Sequence, residues 1–168
     1  MIKIARGIDR FTEWCGRIIA WLCFPLVAAL VYEVTARYVF RAPTEWAYDV
    51  TYMLYGTIFM LGAAFTLLKK AHIRTDMFYN HWSPRTQGRV DALAYLLLYF
   101  PAIVFFLVAG WDYAAHSWAT GEHTSLSPWR PIIYPFKTVI PVTAVLLLIQ
   151  GVSEFLKSLH AARRGEWV

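Results

Sequence analysis

The chain has 168 residues and a formal net charge of +5, and its composition is 58% hydrophobic, 17% aromatic and only 16% charged. With a mean hydropathy of +0.43, it is more apolar than a soluble domain, and no segment outside its apolar runs is long enough to bury a core of its own. A soluble enzyme domain is thereby excluded, and so is a nucleic-acid-binding module, because no separate basic domain exists to carry one.

In chain order, the first element is a basic arm. Ile4, Ile8, Phe11 and Cys15 recur at i, i+4, i+7 and i+11, with Lys3, Arg6, Arg10, Glu13 and Arg17 on the other side. This pattern predicts an amphipathic helix over residues 1–17, lying at the inner membrane surface with its apolar stripe toward the lipid. Four apolar runs follow, at about residues 18–40, 46–68, 92–110 and 132–155. A spanning helix needs about 20 apolar residues at 1.5 Å rise to cross a hydrocarbon core of roughly 30 Å, and the runs meet or nearly meet that length. The expected fold is an all-α integral membrane protein, a single four-helix domain over residues 1–168. Any pocket of substrate size would then lie between helices or between subunits.

The start of the first run has the flavour of a signal peptide, with Val34-Thr35-Ala36 resembling a cleavage site. The run is long for such a segment and continues through Tyr38-Val39-Phe40, so a retained helix is expected. Cys15 and Cys23 lie eight apart with no C-x-x-C and no third partner for zinc, so packing or lipid contact is their expected role. The connection over residues 69–91 carries Ser83-Pro84, an N-cap followed by a first-turn proline, so the third helix is expected to begin below the membrane. Trp111, Tyr113, Trp118, Trp129 and Tyr134 crowd the next connection as an interfacial aromatic belt. Gly56, Gly62, Ala63 and Ala64 give the second span small side chains for close helix approach.

Lys and Arg set the orientation. Lys3, Arg6, Arg10, Arg17, Lys69, Lys70, Arg74, Arg85, Arg89, Lys157, Arg163 and Arg164 fall on one side, against Arg37, Arg41, Arg130 and Lys137 on the other. Positive flanks are retained in the cytoplasm, so both termini are expected there, and anionic membrane lipids account for the net charge.

Charges near the membrane supply the site candidates. Glu33 lies about 8 Å inside the outer edge of a 30 Å core, with Arg37 one turn further out on the same face. The short link brings back Glu45 and Asp49, giving an outer cluster of Glu33, Arg37, Arg41, Glu45 and Asp49. It suits either contact with a subunit or binding protein, or a local ion-pair network orienting the first two spans. On the inner side His72 and Asp76 are four apart. Two ligands do not make a metal site, and His81 would join them only by a special loop fold, so interface and capping roles are expected. No catalytic, cofactor or metal residues are expected.

The ordered motifs resemble a family. Arg37-Tyr38-Val39-Phe40-Arg41-Ala42-Pro43-Thr44-Glu45-Trp46, then Gly62-Ala63-Ala64, then Lys70-Ala71-His72-Ile73-Arg74-Thr75-Asp76, followed by Ser127-Pro128, Ile140-Pro141 and Gln150, are similar to the small membrane subunit, DctQ type, of TRAP (tripartite ATP-independent periplasmic) transporters. Thr75 and Arg41 depart from the usual pattern, which more often has an aliphatic and a small polar residue there. The resemblance implies a non-catalytic subunit of the bacterial inner membrane that scaffolds a large sodium-coupled subunit (DctM type). It also implies help in docking a periplasmic solute-binding protein (DctP type) during uptake of carboxylate-type solutes.

Other classes fit less well. A haem-b anchor needs histidines inside the spans, and all five lie outside them; a disulfide-forming oxidoreductase needs paired outer cysteines. The remaining alternative is an autonomous proton-coupled exporter using Glu33. It is weakened by Arg37, which would hold that carboxylate ionised, and by the absence of paired, Gly/Pro-interrupted half-helices of the kind that build midplane transport sites.

Overall fold

The computed structural model describes residues 2–70, 79, 81–125 and 127–167. Its first helix, α1 (Ile2–Ala20), is followed almost at once by α2 (Cys23–Tyr38). The expectation of one helix over residues 18–40 is corrected here: the chain breaks at Trp21-Leu22, where the bonds tighten to Trp21 N–H to the Ile18 carbonyl at 3.1 Å and Leu22 N–H to the Ile19 carbonyl at 3.0 Å. Pro25 is the physical reason. It has no N–H to give the Trp21 carbonyl, so the helical ladder cannot run unbroken through this turn.

The next helix, α3 (Ala47–Leu68), returns after a short link. Ser83 then caps α4 (Pro84–Ala94), its hydroxyl accepting the Thr86 N–H at 3.4 Å with Pro84 in the first turn, as the sequence predicts. A π-helical turn, Tyr95–Tyr99, joins α4 to α5 (Phe100–Thr120). Pro101 sits just beyond that turn and cannot donate to the Leu97 carbonyl; the wider bonds, among them Phe100 N–H to the Tyr95 carbonyl, absorb the fault without breaking the helix.

Helix Pro84–Thr120 is thus one rod of 37 residues, which begins at the expected Ser83-Pro84 cap and continues past the end of the apolar run at 110. Trp111, Tyr113, His116 and Trp118 ride on α5 rather than in a connection, which begins at Gly121 in the left-handed conformation (φ 58) that closes the helix. The connection is held by Thr124 N–H to the Pro131 carbonyl at 2.9 Å and Ile133 N–H to the Glu122 carbonyl at 3.0 Å. A single turn, α6 (Tyr134–Lys137), precedes α7 (Val139–Arg164). Helix α7 therefore continues past the end of the apolar run over 132–155.

α7 is the spine, touching α1, α3, α4 and α5. At its C-terminal end Gly88 of α4 lies so close that an added Cβ would stand 2.5 Å from the Ala162 nitrogen and 2.6 Å from the Ser158 carbonyl oxygen. Apart from Ile19 and Tyr95, the buried positions are mostly small or polar, among them Ala5, Ala47, Ala64, Ala114, Ala144 and Ala161, with Gln150, Thr143, Asp49, Ser117, Ser153 and Ser158 as the largest fully buried side chains. Large apolar residues point outward, Phe105 for example being 76% exposed. A soluble protein reverses this arrangement. Small and hydrogen-bonding residues inside and hydrocarbon outside are what helix packing in lipid requires, and four helical runs, Ile2–Tyr38 taken through its break, Ala47–Leu68, Pro84–Thr120 and Tyr134–Arg164, are long and apolar enough to cross. The chain is a multi-pass membrane protein.

Candidate functional site

The expected outer cluster divides in two. Glu33 of α2 accepts the Arg37 Nε–H at 2.8 Å and a second bond from Arg37 Nη2, while its other oxygen accepts the Thr44 backbone N–H at 3.0 Å and the Thr44 hydroxyl. Both carboxylate oxygens are engaged, so Glu33 ties the link to the end of α2. Arg41 follows with left-handed backbone (φ 53) and is exposed, as is Glu45. Among the described residues neither makes an ion pair. The left-handed turn lets the Ala42 N–H reach the Ala36 carbonyl at 3.0 Å and close α2, and it puts Arg41 at the corner of the link.

Asp49 is the member that departs. It is 1% exposed and accepts the Ser127 hydroxyl, 78 residues on, while its Oδ1 has no partner among the described residues. Its visible bond fastens α3 to the connection between α5 and α6. Lys137 of α6 is buried; its Nζ lies 2.5 Å from Glu122 Oε2 and 3.9 Å from the centre of the Tyr113 ring. The Lys137 hydrogen bond holds the Glu122 carboxyl below its ordinary value, aided by the charge of Lys137.

At the other end is a cluster that the sequence reading missed. Asp9 of α1 accepts bonds from Gln150 Nε2 at 3.1 Å, Ser153 Oγ at 2.7 Å and Lys157 Nζ at 3.0 Å, and Lys157 also lies 2.7 Å from Glu154 Oε1. Gln150, Ser153 and Glu154 are all buried. Its signal was present: positions 150, 153, 154 and 157 fall at i, i+3, i+4 and i+7, a polar stripe inside an apolar helix. Beside it, Glu13 bonds Arg17 at 3.2 Å and approaches Lys69 at 3.5 Å. His72 and Asp76 lie outside the described residues. Among the described ones, no group of three or more His, Cys, Asp and Glu side chains is arranged to hold a metal ion.

These sites join elements and present charge; none sets a nucleophile against a base. Of known protein families, the model for tripartite ATP-independent periplasmic transporters, DctQ component, matches residues 26–161. No curated protein matches significantly. The match covers α2 through most of α7, including Glu33, Asp49, the Glu122–Lys137 pair and the polar stripe of the last helix. The chain belongs to the DctQ family, the small membrane component of TRAP transporters.

Proposed function

We propose that this chain is a non-catalytic scaffold of the bacterial inner membrane. It packs against the large sodium-coupled DctM-type subunit and helps dock the periplasmic DctP-type binding protein while a carboxylate-type solute is taken up. Family membership supports the assembly. The observation that carries docking is the outer corner: Arg41 is exposed and, among the described residues, unpaired, on a turn whose backbone is fixed by Glu33 and Thr44. An exposed charge without an ion-pair partner among the described residues suits steering of a partner more than stability. The exporter reading loses its carrier, because a carboxylate with both oxygens engaged beside Arg37 is poorly placed to exchange protons.

α1 supports an interfacial placement with both termini cytoplasmic. Ala5, Asp9, Thr12, Gly16 and Ile19 face the bundle. About a third of a turn away are the exposed Ile4, Phe11 and Ile18, and about a third of a turn the other way are Lys3, Arg6 and Arg10. Three faces suit protein at the side, acyl chains below and water with anionic headgroups above.

The test is binding of the purified binding protein to the two-subunit membrane complex. Arg41→Ala should weaken docking several-fold at low salt and progressively less as salt rises, because a rim charge acts through a screened field. Unchanged docking at every salt concentration would remove this corner from the proposed interface.

A further inference from the structure

The helix faces left uncovered differ in chemistry. On α4, the π turn and α5, the exposed side chains over residues 93–109, among them Leu93, Leu97, Val104, Phe105 and Val108, carry no polar atom. Such a face suits lipid tails. On α3, by contrast, the exposed positions are Tyr48, Tyr52, Tyr55 and Phe59, and every other residue of that helix is at least partly covered. Their spacing of four, three and four puts all four rings within about 60° of the helix circumference, in one stripe. Tyr55 and Phe59 are 63% and 69% exposed and stack on each other with centroids 6.4 Å apart, while Tyr52 leans on Phe136 at 5.5 Å.

Among the described residues, the hydroxyls of Tyr48, Tyr52 and Tyr55 make no hydrogen bond. Depth turns this into an argument. α3 has 22 residues, about 33 Å, which matches the hydrocarbon thickness and puts its ends at the two boundaries. Tyr48 sits at one end, where water and headgroups can reach it, as for a belt residue. Tyr55 lies about 12 Å along the helix from Ala47; a helical side chain leans toward the N-terminus, but a phenol is too short to carry its hydroxyl back over that distance. Acyl chains offer such a hydroxyl no partner, and an unmet polar group in hydrocarbon is costly.

We infer that the tyrosine face of α3 is the surface that docks the larger membrane subunit, and that this partner presents hydrogen-bond acceptors opposite Tyr52 and Tyr55. Phenol rings suit the task, because they supply broad apolar contact and one polar handle each. The inference rests on the proposed assembly with a large subunit and adds which side of this chain meets it.

The test is photocrosslinking in the membrane complex, with a benzoylphenylalanine probe placed singly at Tyr55, Phe59, Leu97 or Phe105. Probes at 55 and 59 should capture the large subunit, and those at 97 and 105 should not. In parallel, the double change Tyr52→Phe, Tyr55→Phe keeps both rings and should lower retention of the large subunit through detergent washing several-fold. Capture from 97 or 105 but not from 55 or 59 would overturn the surface and leave the assembly standing. Capture of a second copy of this chain from position 55, or unaltered retention by the double variant, would likewise overturn it. A chain that never copurifies with a large subunit would overturn the assembly as well.

Discussion

Lys157 shows how one residue holds two carboxylates in place. Its Nζ stands 2.8 Å from Asp9 Oδ2 and 2.7 Å from Glu154 Oε1, joining α1 to α7 where both helices are mostly covered. Removing one partner of a buried pair is strongly destabilising because it leaves charge uncompensated. Lys157→Ala should cost about 3–5 kcal/mol, read as a lower denaturation midpoint in detergent. Adding Asp9→Asn and Glu154→Gln should recover part of that loss, since the stranded charges disappear. Glu122 gives the corresponding pH prediction. Its folded pKa is lowered from 4.5 chiefly by the Lys137 hydrogen bond, so its contribution is fully present above 4.5 and is lost as pH falls through the folded value. Hydrogen-exchange protection over residues 121–125 and 127–133, corrected for the intrinsic pH dependence of amide exchange, should therefore be constant around neutral pH and fall only in acid, and Glu122→Gln should remove that step. At this scale the sequence showed local pairs and hid distant ones. Glu33 and Arg37 are four apart and were legible as neighbours, whereas Asp49 meets Ser127 and Asp9 meets Lys157 only through the fold.

Hydropathy locates the apolar runs but does not register hydrogen bonds, so helices break within those runs or continue past them. Pro25 breaks the first apolar run and Pro101 bends the third into a π turn, while α5 stays helical through the aromatic belt to Gly121. Polar and aromatic residues at the end of a span read as a loop, although a helix can continue past the hydrocarbon with its bonds intact. Gly88 tests the packing of α4 on α7. Gly88→Val would drive a side chain into the backbone of Ser158 and Ala162, and a rigid backbone cannot yield as a rotamer can, so a loss of at least about 1–3 kcal/mol is expected. Gly62→Ala is the control, because nothing lies within 4 Å of the added Cβ and alanine favours the helix by about 1 kcal/mol. Thermal denaturation of the two variants should move in opposite directions.

As a whole, the molecule is a bundle whose polar groups knit helices together and whose exposed helix faces are largely hydrocarbon, a basic arm, an outer corner and a tyrosine stripe standing out among the described residues. Its family and its four-helix character were legible in ordered motifs and long apolar runs; the uneven exterior was not, since spacing alone does not say which face of a helix its neighbours cover. The proposed orientation predicts that reporter fusions after Trp167 report cytoplasm and fusions at Gly121 report periplasm. The central claim is that this scaffold moves no solute by itself. It is tested most directly by solute uptake into proteoliposomes holding this chain alone, the large subunit alone, or both, with the binding protein supplied outside. Sodium-driven uptake should require the large subunit together with the binding protein, and vesicles with only this chain should show none under a sodium or a proton gradient. Gradient-driven transport by this chain alone would contradict the account.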